Sequence, residues 1–135
     1  MKRREEKKRS LSSGETLVMK VIWDTGEEMG RDITVPELTE ALFRDYGKDY
    51  SRTAIASFLD KLIEKGFIEK YREGRLAYLH PLQDEEEYKR KMLLENINFW
   101  FRGKASSLVA ALDSEQRISK EEAEKIRRIL DGVDH

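Results

Sequence analysis

The feature that most constrains the fold is a run of helix signals between residues 34 and 66. Thr34, with Glu37 at the third helical position, predicts the start of a helix, because the two side chains can cap each other's backbone N–H groups. Gly47 is of the residue type that ends such a helix. Ser51 provides a second cap and Gly66 a second stop. The sequence therefore predicts two consecutive helices joined by a short turn.

Helical spacing predicts which side chains of these two helices enter a core. In the first of the pair they are Leu38, Ala41, Leu42 and Tyr46. In the second they are Ile55, Leu59 and Leu62.

The residues after Gly66 predict a β-hairpin. Phe67 to Tyr71 and Leu76 to Leu79 are rich in β-forming side chains, and Gly74 lies between the two runs. Two consecutive helices with a hairpin behind them are the parts of a winged helix-turn-helix, which places its second helix in the DNA major groove and its wing along the backbone. The expected fold is mainly α: a winged helix-turn-helix of three helices plus a β-hairpin wing.

The flanking segments predict further helices. The first helix is expected from Ser12 to about Gly26, followed by a polar loop. After a change in composition near Pro81, three more helices are expected over residues of about 84–102, 104–112 and 119–131. The predicted organisation is a disordered basic tail over 1–10, a winged-helix DNA-binding domain over 11–82 and a helical dimerisation domain over 83–135.

Short polar and basic side chains on the second helix of the pair and on the hairpin fit contacts with DNA. The predicted base-reading residues are Ser51, Arg52, Thr53, Ala56 and Ser57. The predicted phosphate-contacting residues are Lys61, Lys70, Arg72 and Arg75. The alternative is a winged helix used for protein contacts, an adaptor or antirepressor in which these charges are only solvated; the net charge of −1 supports that alternative.

The basic run from Lys2 to Arg9 has two interpretations. It could reach into a minor groove, as flexible basic arms do. We favour a solvated tail, since Glu5 and Glu6 dilute its charge.

Three consecutive aromatic residues predict a second chain as partner. Phe99, Trp100 and Phe101 cannot all face one side of a helix, so at least one would be exposed on an isolated helix. Burial in a symmetric homodimer solves this, whereas the alternative is a core within one chain. The predicted dimer interface consists of Met92, Ile97, Phe99, Trp100, Phe101, Leu108, Leu112, Ile126 and Leu130.

Signals for an enzyme, a metal or a cofactor are absent from the sequence. The chain has no cysteine, its eight glycines are scattered, and its two histidines, His80 and His135, have no partner set. The carboxylates of residues 84–87 read as a helix start, where they suit the helix dipole. No apolar run approaches the roughly 18 residues of a membrane span, and the N-terminus lacks the apolar part of a signal peptide. A cytoplasmic location and no membrane partner are expected.

The order and spacing of short motifs over residues 11–131 resemble the penicillinase-repressor family, which includes BlaI/MecI-type and CopY-type repressors. The motifs are Leu11-Ser12-Ser13-Gly14-Glu15, Val35-Pro36-Glu37-Leu38, Ser51-Arg52-Thr53-Ala54-Ile55, Glu64-Lys65-Gly66, Tyr71-Arg72-Glu73-Gly74-Arg75 and Phe99-Trp100-Phe101-Arg102-Gly103. The resemblance implies a homodimeric repressor that binds a palindromic double-stranded DNA operator. It also implies induction either by a sensor protease or by metal ions.

The sequence departs from the family's pattern at the residues on which both modes of induction depend and at two positions of the recognition helix. The cysteine pairs of the copper branch are missing. The family's Asn-Phe cleavage pair would align near Ala111-Leu112, which puts that mode of proteolysis in doubt. Ala54 and Ala56 stand where members often carry Thr and a longer polar residue, so fewer base contacts are expected.

Overall fold

The structure is a computed structural model that describes the backbone of residues 10–133 and the side chains of residues 10–129. The order of elements is α1 (Ser13–Met29), β1 (Ile33–Thr34), α2 (Val35–Tyr46), α3 (Arg52–Glu64), β2 (Ile68–Glu73), β3 (Leu76–Pro81), α4 (Glu85–Trp100), α5 (Ala105–Ser114) and α6 (Lys120–Val133). The chain divides into two compact units, Met1–Glu85 and Glu86–His135. The predicted fold class, mainly helical with a small antiparallel sheet, is confirmed.

The first unit packs three helices against a three-stranded antiparallel sheet. The strand order is β1-β3-β2, and the hairpin register sets Ile68 opposite Pro81 and Glu73 opposite Leu76. Fully buried side chains come from each of its three helices and three strands, and their burial supplies the apolar driving force for folding. They include Val18, Met19, Ile22, Ile33, Leu38, Leu42, Leu62, Ile68 and Leu79.

The predicted helix pair is confirmed in its caps and its core faces. Thr34 and Ser51 cap α2 and α3, and Gly47 ends α2 with a φ of 65°. The predicted core residues of both helices are buried except Tyr46, which is 46% exposed. Tyr46 lies in the last turn of α2, beyond the buried stretch of that helix, so the prediction for Tyr46 was wrong.

The end predicted for α1 was also wrong. The helix continues through Gly26 to Met29, and the residue that ends it is Gly30, with a φ of 68°. The Gly30 N–H donates to the carbonyl oxygens of Gly26 and Glu27, which closes the last turn. The polar loop expected after this helix is therefore shorter and spans residues 30–32.

Strand β1 had no counterpart in the sequence prediction. Ile33 and Thr34 pair with Leu79 and Tyr78 of β3. Two residues are too few for an alternating pattern, and Thr34 is at the same time the cap of α2.

The second unit consists of α4, α5 and α6. The chain leaves α4 through two residues of positive φ, Arg102 at 52° and Gly103 at 79°. Ser119 caps α6, since its Oγ accepts a hydrogen bond from the Glu122 N–H at 3.0 Å. The predictions for the basic tail and for His135 fall on residues 1–9 and 134–135, outside the described residues.

Candidate nucleic-acid interface

Helix α3 is held in place at both ends. At its start, the Ser51 Oγ accepts a hydrogen bond from the Ala54 N–H at 3.1 Å. Beyond its last turn, the Lys65 Nζ forms a largely buried ion pair with Glu15 of α1. Between these points Ile55, Leu59 and Leu62 are buried, so the opposite side of the helix is left to solvent. This is the arrangement that a recognition helix requires.

The predicted base-reading residues lie together on that free side. Arg52, Thr53, Ala56 and Ser57 are all exposed in the first two turns of α3. Ser51 is exposed as well, but its oxygen already caps the helix.

The hairpin presents two chemically different faces. Ile68, Lys70 and Arg72 share one face of β2, because alternate side chains of a strand point the same way. Ile68 is buried in the core, and the next two positions of that face extend beyond it and carry cations. The opposite face carries Glu69, Tyr71 and Glu73. The wing therefore has one cationic face, continuous with the core side of the sheet.

The carboxylate of Asp32, in the loop before β1, forms polar contacts with the face of the hairpin that carries Tyr71. The Tyr71 hydroxyl donates to the Asp32 Oδ2 at 2.7 Å, and the His80 Nδ1 lies 3.0 Å from the Asp32 Oδ1. The hydrogen bond to Asp32 raises the pKa of Tyr71 to about 12. The Tyr71 ring also stacks on Tyr78, with centroids 5.6 Å apart. His80 is thus placed in a structural tether, which sequence reasoning did not specify.

The described cations of the first unit differ in whether a carboxylate pairs with them. Several are paired: Lys20 with Asp24 and Glu85, Arg31 with Glu37, Arg44 with Asp45, and Lys65 with Glu15. Among the described residues, no ion pair involves Arg52, Lys70, Arg72 or Arg75, and all four are exposed. Their charge is available to a ligand from outside the chain.

The structure bears on two lysines as candidate phosphate contacts, one inside the predicted set and one outside it. The Lys61 Nζ lies 3.6 Å from the Glu64 Oε2, so part of its charge is offset within α3. Lys48, in the turn between α2 and α3, is exposed and makes no ion pair in the part of the chain that the structure describes. Sequence reasoning missed Lys48, although a cation in the turn of a helix-turn-helix pair is a readable signal.

The second unit exposes large aromatic side chains. Phe99 and Trp100 are 75% and 70% exposed and pack edge-to-face, with ring centroids 4.8 Å apart. Met92, Phe101, Leu108, Leu112 and Ile126 are half-buried. The surroundings of Leu130 lie outside the described side chains.

Ile97 does not suit the interface role predicted for it. It is only 7% exposed within the single chain. The chain turns back over it, since the N–H groups of Phe101 and Gly103 both donate to its carbonyl oxygen. The predicted interface omits other apolar side chains that the described part of this unit exposes: Leu93, Leu94 and Ile129.

The comparisons with known proteins agree on one family. The model of the family described as penicillinase repressor matches residues 11–132. The chain belongs to the penicillinase-repressor family. The predicted resemblance is confirmed.

Individual relatives share little more than a quarter of their residues with this chain, but the matches extend over about nine-tenths of it. The methicillin resistance regulatory protein MecI of Staphylococcus aureus (strain N315) is 28% identical over 120 residues, which cover 89% of this chain and 92% of MecI. The penicillinase repressor of Bacillus licheniformis is 27% identical over 121 residues, which cover 90% of this chain and 89% of that protein.

One solved structure is similar over part of the chain. It is the solution structure of monomeric Bacillus licheniformis BlaI in complex with the blaP half-operator. The match is 32% identical, has a TM-score of 0.45 and covers 58% of this chain and 88% of that one.

Members of the penicillinase-repressor family are transcriptional repressors and not enzymes. Among the side chains of residues 10–129, no three of His, Asp or Glu are gathered closely enough to hold a metal ion. None of the described helices combines the length and the apolar composition needed to cross a bilayer.

Proposed function

We propose that this protein is a homodimeric winged-helix repressor that binds a palindromic operator. Arg52, Thr53, Ala56 and Ser57 would read base edges, together with Ser51 at the start of α3. Lys70, Arg72 and Arg75 would contact phosphates, with Lys48 added and Lys61 in a lesser role. Residues 11–82 would be the DNA-binding domain and residues 83–135 the dimerisation domain.

The observation that carries DNA binding is that one cation of the recognition helix, Arg52, and three of the wing, Lys70, Arg72 and Arg75, have no ion-pair partner among the described residues. Arg31 and Arg44, two exposed cations elsewhere in the first unit, lie within 4 Å of the carboxylates of Glu37 and Asp45. Arg52, Lys70 and Arg72 have none among the described residues. Binding of phosphates then releases counterions without breaking an internal ion pair, which favours association. A near-neutral chain can bind DNA when its available charge is local in this way.

The exposed aromatic pair supports a homodimer. Leu94, Phe99 and Trp100 are each more than half exposed in the second unit. Burial of an aromatic side chain is among the strongest contributions to an interface. A second copy presents the same residues, so a symmetric interface covers both sets at once. Two winged helices related by that symmetry match a palindromic operator.

The experiment that tests the proposal is a fluorescence-anisotropy titration of the full chain. The probe is a duplex from upstream of the protein's own gene, with a scrambled duplex as control and salt varied. We expect tighter binding to the upstream duplex and a steep loss of affinity with salt, because several phosphates are contacted. Equal and weak binding to both duplexes, also at low salt, would contradict the proposal and favour a protein-interaction role.

A further inference from the structure

The first unit contains a groove that the DNA contacts do not account for. It has a volume of about 580 Å³ and lies between the start of α2, the first half of α3 and strand β2. This volume falls within the range of about 300–1,000 Å³ that is typical of small-molecule sites. Its floor is apolar, since Ile55 and Leu59 line it with Val35 and Pro36.

Three charged side chains reach this groove from three different elements. Arg52 comes from α3, Lys70 from β2 and Glu40 from α2. Neither cation has an ion-pair partner within the described residues. The two positive charges outnumber the one negative charge, so the groove favours an anion that carries a single charge.

We propose that the groove binds a small apolar monoanion, an aromatic or branched carboxylate, whose body lies on Ile55 and Leu59 and whose carboxylate meets Arg52 and Lys70. The inference rests on the proposed function in one respect. Arg52 and Lys70 are also the side chains assigned to DNA, so the carboxylate and the operator exclude each other. The ligand therefore acts as an inducer of a repressor that has no cysteine for a thiolate metal site.

Two features favour such a ligand over DNA as the occupant of the groove. Phosphates and sugars are polar, whereas Val35, Pro36 and Leu59 offer an apolar surface that they do not use. Glu40 lies at the groove as well, and its carboxylate repels a polyanion more than a monoanion. The Tyr50 ring, which packs edge-to-face on Phe58, provides a wall fixed by its neighbour.

The test is a titration of the full chain, labelled with ¹³C at the methyl groups of Ile, Leu and Val, with 2-naphthoate in the absence of DNA. We expect saturable shifts of the Val35, Ile55 and Leu59 methyl signals. The methyl groups of Leu93, Leu94 and Ile129, which are exposed in the second unit, serve as the internal control. Shifts confined to these control methyls, or shifts that do not saturate, would overturn the proposal.

Two variants locate the naphthoate. Glu40→Gln removes the like charge and should tighten naphthoate binding by about two- to five-fold, the range expected for one exposed charge. Glu64→Gln is the matched control, because Glu64 is exposed on α3 and does not line the groove. Ala56→Leu fills the groove and should weaken binding at least about ten-fold. Equal affinities of Glu40→Gln and Glu64→Gln would contradict the assigned site.

The link to repression is measured separately. At a naphthoate concentration equal to its dissociation constant, the apparent Kd for the operator duplex should rise about four-fold, because each of the two grooves of the dimer is half occupied and both must be empty for the operator to bind. Naphthoate binding without this rise would refute the inducer role. If the protein did not bind the operator duplex even without naphthoate, the proposed function would be refuted instead. The methyl titration does not involve DNA, so it would still test the naphthoate site.

Discussion

The ring of Phe58 occupies the space above Gly14. A β-carbon on Gly14 would lie 2.5 Å from the Phe58 Cε1 and 2.7 Å from the Cζ. The same ring packs edge-to-face on Tyr50, with centroids 5.2 Å apart. The first turn of α1 and the turn before α3 thus enclose Phe58, and they set where the recognition helix lies.

Gly14→Ala should therefore destabilise the protein. Helix propensity alone would favour alanine by about 1 kcal/mol, but the displaced ring should cost about 1–3 kcal/mol, as overpacking does. Because the displaced ring belongs to α3, operator affinity should fall as well. Urea unfolding and the anisotropy titration measure the two effects.

Gly26→Ala provides the matched control for Gly14→Ala. Gly26 lies in the same helix, and its β-carbon would meet only the Arg31 carbonyl oxygen at 3.5 Å, an ordinary contact. This variant should be stabilised by about 0.5–1 kcal/mol. If both variants shifted the free energy of unfolding in the same direction, the assigned close approach would be wrong.

Arg72→Ala should weaken DNA binding without changing its sequence preference. A lost phosphate contact lowers affinity for all sequences alike and reduces the slope of log K against log salt by about one. Arg44→Ala removes a cation that is paired with Asp45 and remote from the wing, and it should leave the slope unchanged. Equal slopes for Arg72→Ala and the unaltered protein would refute the assignment of the wing.

Trp100→Ser should shift the protein from dimer to monomer. The variant removes a side chain that is 70% exposed in the single chain and that the proposed interface buries. Phe43→Ser is the control, since Phe43 is equally apolar and 61% exposed but belongs to the first unit. Sedimentation velocity at several concentrations measures the proportion of dimer in each variant, and Phe43→Ser should remain dimeric. Persistence of the dimer in Trp100→Ser would place the interface elsewhere.

The capping box of α2 should make stability depend on pH in the acid range. Arg31 donates two hydrogen bonds to the Glu37 carboxylate and, with the Thr34 N–H, lowers its pKa from 4.5 to about 2. The depressed pKa stabilises the folded state above about pH 4.5, and this contribution is lost as the pH falls toward 2. Because Arg31 is half exposed, the expected size is about 0.5–1 kcal/mol.

Unfolding of Glu37→Gln as a function of pH measures this effect. The variant should be less stable than the unaltered protein near neutral pH and equally stable near the acid end of that range. Arg31→Gln should flatten the same curve, and the double variant should add little, because both changes remove one interaction. A difference between Glu37→Gln and the unaltered protein that stays constant with pH would contradict the assigned pKa.

The sequence predicted the helix pair well because its signals are local. Thr34, Gly47 and Ser51 act on backbone groups within five residues of themselves. The end of α1 was missed because Gly26 and Gly30 are alternative stops four residues apart, and only the fold decides which one adopts a positive φ. Strand β1 was missed because its partner, Leu79, is remote in sequence.

The sequence predicted which residue types the candidate site contains, but it did not predict the ion pairs and hydrogen bonds that those residues make or lack within the chain. That Arg52 and Arg72 carry positive charge is evident from the sequence, whereas their lack of ion pairs depends on where every carboxylate lies. The same holds for Ile97, whose burial follows from the turn after α4 and not from its own helix spacing. The tether of Tyr71 and His80 to Asp32 joins residues 39 and 48 positions apart.

The two-faced hairpin has a consequence for how this wing can change in length. Inserting one residue directly after Ile68 would exchange the faces, so that Glu69 and Tyr71 took the places of Lys70 and Arg72 on the side of the core. Inserting two residues would restore the original faces and only lengthen the strand. Strand β2 should therefore tolerate insertions or deletions of an even number of residues and not those of an odd number. This parity rule applies to the strand and not to the turn at Gly74.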